Sequence, residues 1–259
     1  MLVVIGDVHG HIEKLERVLC SAGLIDADNH WTGKDSTLWF MGDYFDRGPD
    51  GIAVIDLIMR LQNEAPATGG FVGAILGNHD VHILAAHEFG DAPDGSRQGS
   101  FLASWHANGG EDNDLTRLEP HHIDWLKVLP AMTIVEDRLL AHADATFYSN
   151  YGKGVTQINE SIGATLNSTI PGDWDALLDY FSQRRAFMDR FLGRERASRF
   201  LKTYGGRQFV HAHTPIARVT GQRPGDVREA YVYAGGLCID VDPGLYLGGP
   251  GFATRLDEL

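Results

Sequence analysis

Three consecutive segments of the chain repeat one pattern: an apolar run, a polar loop that begins at a glycine, and a stretch with helical apolar spacing. The apolar runs are residues 2–5, 38–41 and 71–76. Short continuous apolar runs are typical of strands buried on both faces. Strand, loop and helix in alternation predict an α/β sheet and argue against an all-helical or all-β chain.

The second half of the chain has more strand-like segments. Residues 155–200 have helical apolar spacing, and the strand candidates are 132–135, 139–141, 209–212, 230–234, 237–241 and 252–256. No linker, low-complexity tract or repeat of fixed period divides the sequence. We therefore expect a single domain over residues 1–259, built as two facing mixed β-sheets flanked by helices.

Residues 88–120 differ from the rest of the chain in composition. They are rich in Gly, Asp, Asn and Ser, and Phe101 and Trp105 are their main apolar anchors. We interpret this segment as an insertion or cap over the loop edge of the sheet. The alternative is a plain mobile loop.

The charge balance restricts the partners. The sequence has 35 Asp and Glu against 22 Lys and Arg, a formal net charge of −13. Such a chain lacks the clustered cations that a nucleic-acid scaffold or an acidic membrane surface would attract. With two cysteines, no apolar run of membrane-spanning length and no secretory apolar segment, the sequence predicts a cytoplasmic protein.

Metal-ligating residue types follow five of the predicted strands. Ligands in open α/β sheets bind outside the carboxyl ends of the strands. The residues at these ends are Asp7, His9, Asp43, Asp46, Arg47, Asn78, His79, His142, His211 and His213. Taken singly, each Asp could be a turn or cap residue and each His a structural one. Their recurrence at consecutive strand ends favours a metal site.

The mixture of ligand types indicates two metals. A pair of divalent cations about 3.5–4 Å apart needs one carboxylate to bridge them, with imidazoles and carboxamides completing each shell. A hydroxide shared by both cations would exist near neutral pH and would be a nucleophile. Oxygen and nitrogen ligands suit Mn²⁺, Fe and Zn²⁺, and we expect Mn²⁺.

Three motifs, in order, carry a family resemblance. They are Gly6-Asp7-Val8-His9-Gly10, then Gly42-Asp43-Tyr44-Phe45-Asp46-Arg47-Gly48, then Gly77-Asn78-His79-Asp80. Together with a strand ending at His142 and the stretch Ala212-His213-Thr214-Pro215, they resemble the calcineurin-like metallophosphoesterases. The form is similar to the phosphoprotein phosphatase branch, which includes bacterial serine/threonine phosphatases and symmetrical diadenosine-tetraphosphate hydrolases. The resemblance implies the α/β/β/α metallophosphoesterase sandwich.

The resemblance also implies roles for these residues. Asp7 and His9 would bind the first metal, Asp43 would bridge, and Asn78, His142 and His213 would bind the second. Arg47 would clamp the substrate phosphate, with Asn78 as a second phosphate contact. His79 would protonate the leaving-group oxygen, and Asp46 would orient its ring.

The sequence departs from the family pattern in places. Asp80 replaces the usual glutamate, a change expected outside the ligand set. His211 lies two residues before His213 and remains an alternative ligand. A second phosphate-binding arginine is typical, and Arg184, Arg185 and Arg207 are candidates that no motif separates. His82 is expected on a helix surface, with a position in the pocket lining as the alternative.

The leading hypothesis is a phosphatase that hydrolyses phosphate monoesters, of the phosphoserine and phosphothreonine protein phosphatase type, by attack of a metal-bridging hydroxide. The alternative is a bis(5'-nucleosyl)-tetraphosphate pyrophosphohydrolase. A polyphosphate would need several cations near the metals, yet residues 88–120 contain only two, Arg97 and Arg117. A third hypothesis is a non-catalytic phosphate-binding regulatory protein, which the complete ligand set argues against.

Overall fold

The fold is a layered arrangement of nine strands and ten α-helices. We analysed a computed structural model, which describes residues 1–259. The strands are β1 Leu2–Ile5, β2 Thr37–Phe40, β3 Phe71–Ala74, β4 Met132–Val135, β5 Arg138–Ala141, β6 Gln208–His211, β7 Tyr231–Tyr233, β8 Cys238–Asp240 and β9 Thr254–Arg255. The helices are α1 Ile12–Ser21, α2 Gly51–Glu64, α3 Asn78–Phe89, α4 Phe101–Ala107, α5 Asp112–Arg117, α6 Pro120–Lys127, α7 Val155–Leu166, α8 Pro171–Phe181, α9 Gly193–Tyr204 and α10 Ile216–Thr220.

The strands form two mixed sheets. The first has the order β3-β2-β1-β9, in which β1, β2 and β3 are parallel and β9 is antiparallel to β1. The second has the order β4-β5-β6-β8-β7, with β5, β6 and β8 parallel and an antiparallel strand at each edge. This confirms the predicted fold class of two mixed sheets with flanking helices.

Alternate residues of the central strands fill two different layers. Val4 and Trp39 of the first sheet belong to the same buried cluster as Val210 and Ile239 of the second. The neighbouring residues on these strands belong to the large outer cluster, together with the apolar faces of the helices. Side chains of a strand point alternately to its two faces, so burial on both faces explains the continuous apolar runs.

The third motif does not form the loop expected from its sequence. Helix α3 begins at Asn78, so Asn78, His79 and Asp80 make up its first turn. Asp80 accepts hydrogen bonds from the backbone N–H of Gly77, Asp43 and Tyr44, at 2.8, 3.0 and 2.9 Å. The buried Asp80 carboxylate therefore stabilises the start of α3 and links the second and third motifs. Its structural role is larger than expected for a simple replacement of glutamate outside the ligand set.

Residues 88–120 are mostly helical and packed. They contain α4 and α5, and Phe101 and Trp105 are fully buried as predicted. Asp114 of α5 accepts hydrogen bonds from the backbone N–H of Gly51 and Ile52, at the N-terminus of α2. The segment is therefore fastened to the second motif and is not a plain loop. That all 259 residues form one domain stays a prediction.

None of the ten helices combines the length and the apolar character needed to cross a membrane.

Candidate metal centre

The loops after five strands deliver the six predicted metal ligands to one buried place. Asp7, His9, Asp43, Asn78, His142 and His213 are each no more than 5% exposed. Asp7 and His9 follow β1, Asp43 follows β2, and Asn78 lies in the first turn of α3, beyond β3. His142 and His213 follow β5 and β6 of the second sheet. The centre therefore lies where the ends of both sheets meet.

The first cluster surrounds Nε2 of His142. This atom lies 3.1 Å from Oδ1 of Asn78, 3.1 Å from Nδ1 of His213 and 3.3 Å from Oδ1 of Asp43. An imidazole nitrogen carries at most one proton, so at most one of these contacts can be a hydrogen bond donated by His142. Four lone-pair atoms that converge in this way have the arrangement of ligands around a cation.

The second cluster surrounds Nε2 of His9. It lies 3.7 Å from Oδ2 of Asp43 and 3.8 Å from Oδ2 of Asp7. Asp43 thus directs one carboxylate oxygen to each cluster, Oδ1 towards His142 and Oδ2 towards His9. This is the geometry that a carboxylate bridging two cations requires.

Backbone carbonyls orient two of the histidine rings. Nδ1 of His9 lies 2.9 Å from the carbonyl oxygen of Phe45, and Nδ1 of His142 lies 2.7 Å from that of Met41. A carbonyl only accepts, so Nδ1 must donate and Nε2 keeps its lone pair. Outer hydrogen bonds of this kind fix the ring of a metal-ligating histidine and increase its basicity.

The electrostatics of the pocket fit divalent cations. Burial, followed by the nearby carboxylates of Asp242 and Asp43, raises the pKa of Asp7 well above its usual value. Burial lowers the pKa of His9 and His213 well below theirs. Nε2 of His213 is buried without any hydrogen-bond partner. Clustered carboxylates with neutral imidazoles cost free energy unless a cation accompanies them, so the residues present fit two divalent cations.

Several of these residues have strained backbones. Five residues of the predicted site have positive φ angles between 47° and 70°, namely His9, Asp43, Asp46, Arg47 and His213. A non-glycine residue in this region costs about 1 kcal/mol or more, and such strain collects at functional sites. These backbone conformations therefore lower the stability of the fold, and they direct the five side chains into the centre.

His79 and Asp46 form a buried pair beside the ligand clusters. Nδ1 of His79 lies 2.6 Å from Oδ2 of Asp46, and Nε1–H of Trp105 donates to the other oxygen, Oδ1, at 2.8 Å. The rings of His79 and His9 are 4.7 Å apart and perpendicular. Nδ1 of His79 is held by Asp46, so Nε2 is the nitrogen that remains for proton exchange with a substrate.

Arg47 is held at the rim of the centre by the 88–120 segment. Its backbone N–H donates to the carbonyl of Gly109 at 2.8 Å, and its Nε donates to that of Asn108 at 3.3 Å. Its guanidinium carbon lies 4.5 Å from the centre of the Tyr246 ring, while Nη1 is 3.1 Å from Nε2 of His9. Two anchors and a cation–π contact place this guanidinium beside the ligands, where a substrate phosphate would be bound.

The alternative ligand His211 does not join the clusters. Its Nδ1 lies 3.0 Å from the carbonyl oxygen of Ala212, and its Nε2 lies 2.8 Å from the hydroxyl of Tyr233. Both ring nitrogens are therefore engaged, and His211 packs against Phe209 with rings 5.4 Å apart. Nδ1 of His213, in contrast, lies in the first cluster, 3.1 Å from Nε2 of His142.

The three candidate arginines separate clearly. The charge of Arg184 contributes to lowering the pKa of both His79 and His213, while its exposed side chain donates from Nε to the carbonyl of Ser182. Arg207 pairs with Asp137, next to β5. Arg185 lines a separate cavity with Tyr233. Arg184 is the one of the three whose charge acts on histidines of the centre.

Sequence reasoning missed three contributors. Asp242 is fully buried, and it raises the pKa of Asp7, against which it lies. Trp105 and Tyr246 contact Asp46 and Arg47. Asp242 directly follows the predicted strand 237–241, as the proposed ligands follow theirs, and this position was a usable signal. No sequence signal connects Trp105 or Tyr246 to residues about 60 and 200 positions away.

Known proteins that are similar to this chain include a protein phosphatase and a tetraphosphatase. Over 80 residues the chain is 38% identical to Shewanella-like protein phosphatase 2 of Arabidopsis thaliana, which is 31% of this chain and 20% of the relative. Over 158 residues it is 27% identical to a symmetrical bis(5'-nucleosyl)-tetraphosphatase of Hamiltonella defensa, which is 60% of this chain and 47% of the relative. The chain thus spans less than half the length of both.

A solved structure confirms the fold over nearly the whole chain. The cold-active protein-tyrosine phosphatase of a psychrophilic Shewanella species superposes with a TM-score of 0.72 at 19% identity, covering 97% of this chain and 73% of that one. Residues 1–217 match the family described as calcineurin-like phosphoesterase, a range that contains every predicted ligand. With that match over most of its length, the chain belongs to the calcineurin-like phosphoesterase family.

Proposed function

We propose that this protein is a phosphatase that uses two divalent cations to hydrolyse phosphate monoesters, with phosphoserine and phosphothreonine peptides as substrates. The observation that carries the proposal is the shared carboxylate of Asp43. It directs one oxygen to each ligand cluster, while Arg47 and His79 flank the same place. Ligands, phosphate clamp and proton donor are all present around one volume.

The residues around the centre would have different roles in the reaction. The guanidinium of Arg47 would bind two phosphate oxygens with its planar fork, and the amide of Asn78 would donate to a third. His79 would deliver a proton from Nε2 to the departing oxygen, while Asp46 holds its Nδ1. The bound cations would supply a water of lowered pKa and neutralise charge on the phosphate.

The protonation of His79 depends on the substrate. Burial lowers the pKa of His79 to about 3 in the protein alone. A phosphate dianion bound beside the ring would favour the charged imidazole and raise this pKa. The acid would thus be formed when the substrate is bound, and an empty site would keep a neutral ring.

For the cations we propose Mn²⁺, with Fe and Zn²⁺ as the alternatives. Both clusters mix carboxylate or amide oxygens with imidazole nitrogens. This donor set suits all three metals, so availability would decide between them.

A second candidate function is the hydrolysis of dinucleoside tetraphosphates. It is favoured by the naming of relatives that match more than half of this chain as symmetrical bis(5'-nucleosyl)-tetraphosphatases. Arg184, whose charge acts on His79 as that of Arg47 does, would supply the additional charge that a polyphosphate requires. Both functions use the same ligands and differ in what lies beyond the reacting phosphate.

A substrate panel distinguishes these functions. Protein loaded with Mn²⁺ is assayed with p-nitrophenyl phosphate, phosphoserine and phosphothreonine peptides, mononucleotides and diadenosine tetraphosphate. We expect hydrolysis of p-nitrophenyl phosphate and the highest kcat/KM on phosphopeptides. No hydrolysis of any phosphate ester would refute the phosphatase proposal, and a clear preference for diadenosine tetraphosphate would support the second candidate.

A further inference from the structure

A cavity of about 440 Å³ opens beside His79, outside the metal ligands. Its wall includes His82 of α3, Ser104 and Asn108 at α4, and Asp175 and Asp179 of α8. The rings of His79 and His82 lie 6.0 Å apart, and the carbonyl of Asn108 holds Nε of Arg47. Two residues of the cavity wall, His82 and Asn108, therefore lie next to the residues proposed as the proton donor and the phosphate clamp.

The wall of this cavity is acidic. Asp94, Asp175 and Asp179 line it, and no Lys or Arg does. None of the three forms a salt bridge. Asp94 and Asp175 are held by local hydrogen bonds from Ser96 and from the backbone N–H of Gly95. Three carboxylates that no Lys or Arg pairs with favour a positively charged group at this wall of the cavity.

A buried histidine without a partner faces the same cavity. His82 is only 8% exposed, and neither ring nitrogen has a hydrogen-bond partner in the structure. Its nitrogens are not fully sealed from solvent, so a group in the cavity can reach them. His82 is thus buried, not on the helix surface as expected from the sequence, and it lines this cavity.

We propose that this acidic cavity is the subsite for the leaving group, and that it receives a basic side chain next to the phosphorylated serine or threonine of a peptide. The three carboxylates would pair with a lysine or arginine of the substrate, and the His82 ring would hydrogen-bond the peptide. The inference rests on the phosphatase proposal and names the substrate class of that same site. It also provides a physical reason for disfavouring dinucleoside polyphosphates.

The test uses three phosphoserine peptides that differ only in two residues beside the phosphoserine, which are Arg-Arg, Ala-Ala or Glu-Glu. We expect kcat/KM to fall in that order for the Mn²⁺-loaded protein. The double substitution Asp175→Asn and Asp179→Asn should lower kcat/KM about 3- to 10-fold for the Arg-Arg peptide, through KM, since each exposed pair contributes modestly. Hydrolysis of p-nitrophenyl phosphate should not change.

Two further variants complete the test. Asp28→Asn removes one charge from the turn between α1 and β2, where the side chain makes no hydrogen bond, and should leave the peptide order unchanged. His82→Phe should raise KM for the Arg-Arg and Ala-Ala peptides alike. His82→Gln, which keeps a hydrogen-bonding group, should restore part of the loss.

The outcomes separate the two proposals. Inactivity on p-nitrophenyl phosphate would overturn the phosphatase function and the subsite with it. Activity on p-nitrophenyl phosphate combined with equal kcat/KM for all three peptides would overturn the subsite alone. The subsite would also be overturned if the double variant slowed every peptide equally, or if diadenosine tetraphosphate were preferred over the Arg-Arg peptide.

Discussion

Nδ1 of His79 lies 2.6 Å from Oδ2 of Asp46, and both side chains are almost completely excluded from solvent. Trp105 donates to the second oxygen of the same carboxylate. These two hydrogen bonds fix the orientation of Asp46, and one of them goes to the ring that we propose as the proton donor. The 88–120 segment, which supplies Trp105, acts on the chemistry through this carboxylate.

Asp46→Asn should lower kcat about 100-fold or more, because an amide can present Nδ2 to His79 and stabilises a charged imidazole less than a carboxylate does. Trp105→Phe should give a smaller decrease and change the pH profile of kcat, since it only releases Asp46. The measurements are steady-state kinetics and bound metal, which should stay the same in both variants. Unchanged kcat in Asp46→Asn would contradict the assigned role.

Asp43→Asn should weaken metal binding more than about 100-fold, because the substitution removes a charged ligand from both clusters at once. Bound metal is measured by elemental analysis after dialysis, and affinity by calorimetric titration of Mn²⁺ into metal-free protein. Asp28→Asn serves as the matched control for the loss of one charge. Full occupancy of both sites in Asp43→Asn would show that this residue does not bridge.

Asp242→Asn should weaken Mn²⁺ binding about 10-fold or more, although Asp242 was not predicted as a ligand. Outer carboxylates that orient a ligand commonly affect affinity to this degree. Asp242 lies against Asp7 and raises its pKa, and a cation would relieve the repulsion between them. Calorimetric titration checks the result, and an affinity equal to that of the unmodified protein would exclude Asp242 from the centre.

Arg47→Lys should lower kcat/KM on p-nitrophenyl phosphate about 10-fold or more, although the charge is kept. A lysine cannot make the bidentate contact with phosphate, nor keep the Nε bond to Asn108. Inorganic phosphate, as a competitive inhibitor, should bind more weakly in the same proportion. Equal inhibition constants for the two proteins would remove the phosphate clamp from the mechanism.

Asp114 should make the fold more stable at mildly acidic pH. Burial raises the pKa of this carboxyl from 3.8 to about 6, so between these values the folded protein binds a proton that the unfolded chain does not. The contribution of Asp114 to the free energy of unfolding is therefore largest below pH 3.8 and is lost as the pH rises through 6. The loss is about 3 kcal/mol.

Asp114→Asn should remove this dependence. Urea unfolding of both proteins between pH 4.5 and 7.5 measures it, as the difference between the two free energies of unfolding. The variant should gain stability relative to the unmodified protein as the pH rises, since its amide does not ionise. A difference that stays constant across this range would mean that Asp114 does not titrate there.

The architecture was accessible from the sequence because burial on both faces produces continuous apolar runs. The runs at β1 and β4 coincide with the strands, and the others differ from them by one or two residues at an end. The third motif was misjudged, because Gly77-Asn78-His79-Asp80 reads as a polar loop although its Asp80 satisfies the backbone N–H groups that start α3. Helix starts and polar loops share the same residue types.

The convergence of the proposed ligands could be predicted because each follows the end of a strand within four residues, and parallel strand ends meet at one edge. Contacts that depend on long-range packing could not be predicted from the sequence. Trp105 reaches Asp46 only because α4 folds over the second motif, and Tyr246 reaches Arg47 from near the end of the chain. Nothing in a local pattern records such pairs, and the same holds for the environment of His82.

The left-handed backbone at His9, Asp43, Asp46, Arg47 and His213 has a consequence for how the protein would respond to selection. Glycine adopts a positive φ angle without steric strain. Replacing any of these residues by glycine would therefore remove local backbone strain and also abolish the function of the site. A screen of variants for heat resistance alone would therefore enrich inactive sequences at these five positions. At these five positions, substitutions that raise stability would lower activity. Engineering for thermal stability would therefore have to start at other positions in the chain.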